Sequence, residues 1–404
     1  MDDAGSFDAL WESLLPVGRE PSSGGYRRYS WSRADHDARE WFAQGADQRG
    51  LSVETDRNGN LWAWHNPDAA GDAIVTGSHL DSVADGGGFD GALGVVAGFA
   101  AFDCLTSTGR VPAGPLAVVA FVEEEGARFG VPCLGSRLLT GTIGSERALG
   151  LRDADGTTYA ETLQAAGIER AGLGWDPDRV RRIGAFIELH VEQGRGLVHA
   201  DCAVGVGRSL HPHGRWRLTF RGRADHAGTT ALADRHDPML PLARTVLAVR
   251  EAAATHGALA TVGRVLVEPN GTNVIPSVAT IWLDARSPDA AAVRALVEQV
   301  VRVAEAAADP DVEVSLVEES WSPEVILDVD LAQRVARRLG GAPLLSSGAG
   351  HDAGVLAGAG VPTVMLFVRN PTGVSHAPAE HAERDDCLAG VRALADALAT
   401  LAAR

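Results

Sequence analysis

Four apolar runs that each lead into polar side chains constrain the fold of this chain most strongly. The runs begin near positions 73, 116, 183 and 363 and consist mainly of Val, Ile, Leu, Phe and Ala. Continuous apolar runs of this kind are typical of strands that are buried on both faces. Residues that can bind a metal follow each run: His79, Glu123 to Glu125, His190 and His376. Because sites in open α/β sheets gather beyond the carboxyl ends of the strands, the pattern predicts an α/β fold with a site at that edge.

The stretch from Ile74 to Gly94 shows this pattern in most detail. Its apolar residues lead to His79, Asp81 follows two positions later, and a glycine-rich segment then leads to Asp90. Imidazole and carboxylate side chains suit a divalent transition metal. The glycines allow the tight turn that brings His79 and Asp90 together. The alternative is an ordinary polar loop, in which Asp81 caps a turn or a helix.

Length and charge limit the classes of partner. A chain of 404 residues is long for a single core, so we expect two domains. The formal net charge of −17 argues against binding to nucleic acid or to an anionic membrane. The four cysteines show no CxxC spacing, and the acidic N-terminal segment does not resemble a signal peptide. These features predict a cytoplasmic, soluble protein.

The pattern of polar and apolar residues changes between about 208 and 318. Residues 215–223 alternate between apolar and basic side chains, which is typical of a strand with one wet face. Further patterns predict helices at 237–255 and 289–307, and strands at 260–268, 278–286 and 312–318. The resulting order β-α-β-β-α-β is that of the ferredoxin-like split motif. We therefore expect a discontinuous catalytic domain (1–207 and 319–404) interrupted by a second domain (208–318).

Five residues are candidate metal ligands: His79, Asp90, Glu125, His190 and His376. A bridging carboxylate, with an imidazole and one further ligand for each ion, makes a two-metal site. Neighbouring side chains point in different directions, so Glu124 can take a proton while Glu125 binds a metal. The alternatives are a solvated face for the glutamates, and His381 in place of His376.

Eight segments together carry a family resemblance: GSHLDSV, GGGFDGALGV, EEEGARF, ELHVEQG, ADHAGTT, NGTNVIPS with LDARSP, GAGHDA and GVSHAPAEH. In this order, over roughly 30–400, they resemble the amidase, hydantoinase and carbamoylase group of the aminoacylase and carboxypeptidase-G superfamily of dinuclear metallohydrolases. The group includes N-carbamoyl-L-amino-acid hydrolases, β-ureidopropionase and allantoate amidohydrolase.

The resemblance implies two divalent ions in a mixed-sheet domain, with Asp90 bridging them. His79 and His190 would complete the site of one ion, and Glu125 and His376 the site of the other. Zinc, manganese, cobalt and nickel all suit such a mixed set of imidazoles and carboxylates.

Catalytic roles also follow from the resemblance. Glu124 would be the general base, and Asp81 would orient the imidazole of His79. The inserted domain would be a lid and dimerisation domain, and its His226 would reach the active site of the partner subunit in a homodimer to stabilise the oxyanion. Taken without the family, His226 is a cap or a loop residue.

The resemblance assigns the substrate contacts as well. Asn273 and Arg286 would bind a substrate carboxylate, which suits a guanidinium because it can form two parallel hydrogen bonds. Gln193 would contact the substrate, and His351 with Asp352 would line the same cleft. The alternatives are a surface salt bridge for Arg286 and a turn-shaping role for Asn273.

The implied reaction is hydrolysis of a linear C–N amide bond in a small N-carbamoyl-type amino acid, either an N-carbamoyl-L-amino acid or allantoate.

Ala231-Leu232 stand where the group usually has a proline after HAGTT, and 208–217 is rich in His and Arg. This basic segment either is a solvated edge or reads a second anionic group. It motivates the alternative substrates, an N-formyl or N-formimidoyl acidic amino acid or a dipeptide. A non-catalytic binding protein on the same fold is the hypothesis from a different class, and the presence of Glu124 and all five ligands argues against it.

Overall fold

The computed structural model describes residues 3–308 and 310–402. The chain divides into two compact units, of which the first comprises Met1–Ser209 and Ile326–Arg404 and the second Leu210–Val325. The second unit ends at Val325 and not at 318, because its last long strand continues through Glu313–Ser322.

The strands, in chain order, are β1 (Ser52–Thr55), β2 (Leu61–His65), β3 (Ala73–His79), β4 (Leu116–Phe121), β5 (Ile183–Val191), β6 (Val204–Leu210), β7 (His213–Arg221), β8 (Asp225–His226), β9 (Leu259–Glu268), β10 (Val274–Ile275), β11 (Val278–Arg286), β12 (Glu313–Ser322), β13 (Val325–Ile326), β14 (Leu344–Ser347) and β15 (Thr363–Val368).

The α-helices, in chain order, are α1 (Asp3–Leu14), α2 (Arg33–Asp47), α3 (Ala92–Ser107), α4 (Leu134–Leu139), α5 (Ser145–Leu149), α6 (Tyr159–Ala165), α7 (Pro177–Arg182), α8 (Gly196–Ala200), α9 (Met239–His256), α10 (Ala290–Ala307), α11 (Val329–Arg338), α12 (Asp352–Gly358) and α13 (Arg384–Ala402). Two short 3-10 helices lie at Arg170–Gly172 and Leu232–Asp234.

A mixed sheet forms the centre of the first unit. Among the described residues it has nine strands, in the order β1-β2-β4-β3-β5-β15-β6-β13, with β14 paired to β6. The four central strands β4, β3, β5 and β15 are parallel, whereas β2 and β6 run antiparallel to their neighbours. The α/β fold predicted from the apolar runs is therefore confirmed, and the carboxyl ends of the central strands lie along one edge.

Burial explains why these segments form the centre. Every residue of β3, β4 and β15 is buried, and the polar side chains among them find partners inside the protein, as Thr76 Oγ1 does by donating to the carbonyl oxygen of Ile187 at 2.7 Å. The helix α3 is apolar all round and packs against β3, β5, α1 and α13. A Cβ at Gly94 would lie 2.3 Å from the carbonyl oxygen of Leu189, so only glycine lets α3 approach β5 this closely. This approach fixes the start of α3, directly after Asp90.

The second unit has a four-stranded antiparallel sheet in the order β12-β7-β11-β9. This is the strand order of the ferredoxin-like motif, because β7 and β11 occupy the centre and β9 and β12 the edges. Trp216, Leu218 and Phe220 alternate along β7 and are buried in the core of this unit together with residues of α9 and α10. The basic side chains between them lie on the opposite face. A separate two-stranded sheet joins β8 to β10.

Within the described residues, no helix is long and apolar enough to cross a membrane. The helix α13 was not expected from the sequence, although Leu388, Val391, Leu394 and Leu398 recur at helical spacing and are buried. It packs against α3 and β15 and closes one face of the sheet.

Candidate metal centre

The sheet brings the candidate ligands to one edge. His79 is the last residue of β3, His190 lies near the end of β5, and Glu124 and Glu125 follow β4. Because β4, β3 and β5 are parallel neighbours, these ends meet side by side. Asp90 reaches the same place immediately before α3.

The first ligand group contains His79, Asp90 and His190, all three buried. The Nε2 atom of His190 lies 3.1 Å from Asp90 Oδ1, and the Nε2 atom of His79 lies 3.4 Å from the same oxygen. All three residues that sequence analysis assigned to one ion therefore face a common point.

The second group contains Asp90, Glu125 and His376. The Nε2 atom of His376 lies 3.3 Å from Asp90 Oδ2 and 3.5 Å from Glu125 Oε2. Half of the His376 side chain is exposed, whereas Asp90 and Glu125 are nearly buried. The two oxygens of Asp90 thus face different groups, which is the arrangement a bridging carboxylate needs.

The hydrogen bonds of the two buried imidazoles test whether a cation fits. Nδ1 of His79 lies 3.0 Å from the carbonyl oxygen of Asp81, and Nδ1 of His190 lies 2.9 Å from that of Val191. A carbonyl only accepts, so in the neutral rings both Nδ1 atoms carry the proton and both Nε2 atoms keep a lone pair on the side of Asp90. The Nε2 atom of His190 also accepts the backbone N–H of Gly91 at 3.3 Å, whereas a lone pair that faces a carboxylate oxygen repels it, and a cation between the two relieves that repulsion.

Distances and the remaining polar atoms support the same fit. Two ligands about 2.0–2.1 Å from a tetrahedral ion are about 3.3 Å apart, which matches the observed separations. Oε1 of Glu125 is buried without a hydrogen-bond partner in the described structure. The donor set therefore fits divalent metal ions.

Electrostatics explain why positive charge belongs here. Burial alone would raise the pKa of Asp90, but hydrogen bonds from His190 and His376 hold it well below its ordinary value. Burial opposes protonation of His79, yet the carboxylates of Glu124 and Asp90 raise its pKa well above the usual range. Burial and Asp90 raise the pKa of Glu125 to about 7. Without a metal, protons must supply the positive charge that this anionic cluster requires.

Glu124 stands beside the first ligand group but belongs to neither group. Its Oε2 lies 3.6 Å from His79 Nε2, and its Oε1 accepts a hydrogen bond from the thiol of Cys133 at 3.2 Å. Burial raises the pKa of Glu124 well above its ordinary value, so this carboxylate binds a proton more readily than an exposed one. This position suits proton transfer next to the metal ligands.

The three consecutive glutamates point in different directions, as expected from the sequence. Glu123 turns away, and its Oε1 accepts the backbone N–H groups of Arg128 at 3.0 Å and Phe129 at 2.7 Å. It has a left-handed φ of 55°, which turns the chain between β4 and Glu124.

Asp81 fixes this turn from the neighbouring strand. Its two carboxylate oxygens accept the backbone N–H groups of Glu124 and Glu125, both at 3.1 Å. Its carboxylate lies 3.6 Å from His79 Nδ1, whereas its carbonyl oxygen makes the hydrogen bond to that nitrogen. The family resemblance implies an orienting carboxylate, whereas the structure places the backbone oxygen of Asp81 in that position.

Gln193 lies close to the proposed bridge. Its Nε2 donates to Asp90 Oδ2 at 2.9 Å and lies 3.1 Å from Ser375 Oγ. Its Oε1 is buried and has no hydrogen-bond partner in the described structure. The amide therefore supports Asp90 on one side and offers an acceptor on the other.

His351 packs behind His190 and is only 3% exposed. The two ring centroids lie 4.6 Å apart, and Nε2 of His351 lies 3.1 Å from Ser347 Oγ. Glu188, His190 and His351 form a further compact group, but Glu188 already accepts from Ser78 Oγ and from the backbone of Ala353. The two groups that share Asp90 are the better metal site, because Glu188 is already satisfied.

In the second unit, His226 and Asn273 lie together. His226 pairs with Val274 in the two-stranded sheet, and the backbone N–H of Ala227 donates to the carbonyl of Asn273 at 3.0 Å. The side chain of His226 is exposed, and its Nδ1 accepts the N–H of Gly228 at 3.0 Å. The neutral ring therefore carries its proton on Nε2, as a donor that faces outward.

Arg286 is held by an acidic neighbour. Its Nε donates to Asp284 Oδ1 at 2.9 Å, and Arg215 Nε lies 3.4 Å from the other oxygen of that carboxylate. In the basic segment 208–217, Arg217 Nε donates to Glu319 Oε1 at 2.8 Å. Much of the charge that could read a second anionic group is thus neutralised within the sheet.

Three residues near the site were missed by the sequence analysis: Cys133, Ser375 and Glu380. Cys133 lies nine residues after Glu124, in a segment with no periodic pattern. Ser375 and Glu380 flank His376 in SHAPAE, and their place in the same segment as a candidate ligand is the one sequence signal that could have indicated a supporting role.

Comparisons with known proteins identify the family of the chain. Residues 75–400 match the peptidase family M20/M25/M40. An N-carbamoyl-L-amino acid amidohydrolase of Geobacillus stearothermophilus is 38% identical over 403 residues, covering 96% of each chain. The allantoate amidohydrolase of Escherichia coli is 32% identical over 408 residues and 98% of each chain.

A solved structure shows that the likeness extends to the fold. The crystal structure of an amidase of the hydantoinase/carbamoylase family from Burkholderia vietnamiensis superposes with a TM-score of 0.90 at 32% identity, covering 100% of this chain and 98% of the other. The family match, the full-length relatives and the shared fold lead to one conclusion. The chain belongs to the peptidase family M20/M25/M40, within its amidase, hydantoinase and carbamoylase group of amidohydrolases.

Proposed function

We propose that this protein is a dinuclear metal-dependent amidohydrolase that cleaves the linear C–N bond of N-carbamoyl-L-amino acids. The observation that carries this proposal is the pair of ligand groups that share Asp90 beside the carboxylate of Glu124. The relative with 38% identity supports this substrate class, and the relative with 32% identity makes allantoate the second candidate. Both substrates combine a ureido group with a carboxylate.

The residues present define what would hold the ions. When bound to His79, Asp90 and His190, and to Asp90, Glu125 and His376, two divalent zinc, manganese, cobalt or nickel ions would polarise the substrate carbonyl and lower the pKa of a water molecule.

Glu124 then moves the proton. It takes a proton from the attacking water and later gives it to the leaving nitrogen, acting first as general base and then as general acid. Water adds to the carbamoyl carbon and the bond from that carbon to the amino-acid nitrogen breaks. The amino acid leaves, and the carbamoyl part ends as carbon dioxide and ammonia.

The second unit is proposed to be a lid and dimerisation domain. His226 of one protomer would donate from Nε2 to the developing oxyanion in the site of its partner, for which the outward N–H is suited. Asn273 and Arg286 would hold the substrate carboxylate, with Asp284 fixing the guanidinium plane. Gln193 would accept an N–H of the ureido group with the buried Oε1 that lacks a partner in the described structure.

A substrate panel tests the proposal. The purified protein, supplied separately with zinc, manganese, cobalt and nickel, is assayed for release of the amino acid from N-carbamoyl-L-amino acids and of ammonia from allantoate. Turnover of either class supports the proposal. Hydrolysis confined to an N-formyl or N-formimidoyl dicarboxylate, or to a dipeptide, would replace the substrate assignment. Metal binding without turnover of any of these would favour a binding protein.

The location in the cytoplasm is part of the same proposal. Within the described part of the chain, none of the four cysteines (Cys104, Cys133, Cys202 and Cys387) forms a disulfide bond, which fits a reducing compartment.

A further inference from the structure

A buried carboxylate outside both ligand groups links two of the segments that carry ligands. Glu380 is 5% exposed and lies four residues after His376. Its Oε1 accepts the backbone N–H groups of Phe89 and Asp90, each at 2.9 Å. Its Oε2 accepts the hydroxyl of Ser375 at 2.8 Å. One side chain therefore binds the backbone of the proposed bridging residue and the residue next to a proposed ligand.

The network continues to the carboxylate of Asp90. Ser375 Oγ lies 3.2 Å from Asp90 Oδ2, and Gln193 Nε2 contacts both of these atoms at 3.1 and 2.9 Å. The hydroxyl has one hydrogen, and Glu380 is its nearer acceptor, so Gln193 supplies the donor to Asp90 Oδ2. Glu380 thus holds the hydroxyl of Ser375, and Gln193 Nε2 is left as the donor that fixes the carboxylate of Asp90.

The glycine-rich segment before Asp90 makes room for this carboxylate. A Cβ at Gly87 would lie 2.3 Å from Glu380 Oε1 and 2.4 Å from its Cβ, whereas real atoms do not approach so closely. Any side chain at position 87 must therefore displace Glu380. Gly87 does not have a left-handed φ, so the close approach of Glu380, and not the tight turn expected from the sequence, is what requires glycine at this position.

We propose that Glu380, seated on Gly87, is a positioning residue that fixes Asp90 with its two oxygens toward different ligand groups and ties the His376 segment to it. The inference deepens the metal centre of the proposed function and rests on it. Residues that orient metal ligands typically change metal affinity 10- to 100-fold when they are replaced. Glu380 acts through Asp90 and Ser375, and it belongs to neither ligand group.

The test measures metal binding directly. Full-length protein is stripped with a chelator and titrated with Zn²⁺, and bound zinc is counted by elemental analysis. We expect the wild type to bind two ions, and Glu380→Ala and Gly87→Ala to bind the weaker ion about 10- to 100-fold less tightly. Glu380→Gln should remain close to the wild type, because its amide oxygen can accept both backbone N–H groups and its amide nitrogen can donate to Ser375.

Matched controls separate this effect from general damage. Glu383→Ala removes an exposed carboxylate (63% exposed) from the same segment, and Gly114→Ala adds a methyl group where nothing lies within 4 Å. Both should bind zinc like the wild type. Circular dichroism of the metal-free proteins checks the fold. Ser375→Ala removes only one of the three contacts of Glu380. If Glu380→Ala does not fold, zinc binding is measured on Ser375→Ala in its place.

Two results would overturn the inference, and they differ in whether the proposed function is overturned with it. Wild-type zinc affinity in both Glu380→Ala and Gly87→Ala removes the positioning role and leaves the proposed function intact. A wild type that binds no zinc, manganese, cobalt or nickel removes the metal centre and the inference with it.

Discussion

Replacing Glu124 by Gln tests the catalytic assignment most directly. The side chain keeps its size, and its carbonyl oxygen can still accept from the Cys133 thiol, which lies 3.2 Å from Oε1. The amide cannot take a proton from water. Loss of a general base typically lowers kcat by about 10²–10⁴, which corresponds to about 2.7–5.4 kcal/mol in the activation free energy. Because Glu124 lies in neither ligand group, we expect bound metal and KM to stay near the wild-type values.

The neighbouring glutamates provide the controls. Glu123→Gln keeps an oxygen for the N–H groups of Arg128 and Phe129, so its kcat should remain close to the wild type. Glu125→Gln should lower kcat together with metal content, because this residue faces His376 in the second group. Steady-state kinetics and elemental analysis of the three purified variants distinguish the roles. A Glu124→Gln protein with kcat within about threefold of the wild type would refute the reasoning.

Three further outcomes are expected. If His226 acts in the site of the partner subunit, inactive His226→Ala and inactive Glu124→Gln proteins that are unfolded and refolded together should recover about one quarter of wild-type activity. The reason is that half of the dimers then contain one chain of each kind, and each of these has one complete site out of two. Absence of recovery would place His226 elsewhere. Arg286→Lys loses the planar fork that suits a carboxylate and should raise KM about tenfold with little change in kcat, whereas an unchanged KM would remove it from the substrate contacts. Chelation should abolish turnover and lower Tm, since ions bound to the native state stabilise it, and adding back Zn²⁺ or Mn²⁺ should restore both; full activity after complete chelation would exclude a metal role.

The strand ends could be predicted because buried parallel strands leave an unmistakable pattern. Residues 73–75 form an apolar run shortly before His79, and the structure places all of β3 in the core. Once the central strands are parallel, their carboxyl ends must lie side by side, so residues as distant in sequence as His79 and His190 meet. The mixed α/β fold was predictable for this reason, and the family was predictable from the eight segments that carry the resemblance, while the roles of the individual ligands remain predictions.

The supporting contacts could not be predicted because they depend on where loops pass. The carbonyl of Asp81, and not its carboxylate, bonds the imidazole of His79, and no residue pattern distinguishes these two oxygens. The contact between Gly87 and Glu380 joins segments with no shared periodicity. The end of β12 was placed too early at 318, because a register shift near Glu318 breaks the alternation that marks a strand.

The hydrogen bond between Glu380 and the backbone of Asp90 joins residues that are 290 positions apart. During synthesis at about 5–20 residues per second, roughly 15–60 s separate the emergence of the two partners from the ribosome. In that interval the whole second unit is made, and it can fold before the first unit has its last strand and its final helix. A nascent chain therefore carries an incomplete set of the proposed ligands until the segment around His376 has been made.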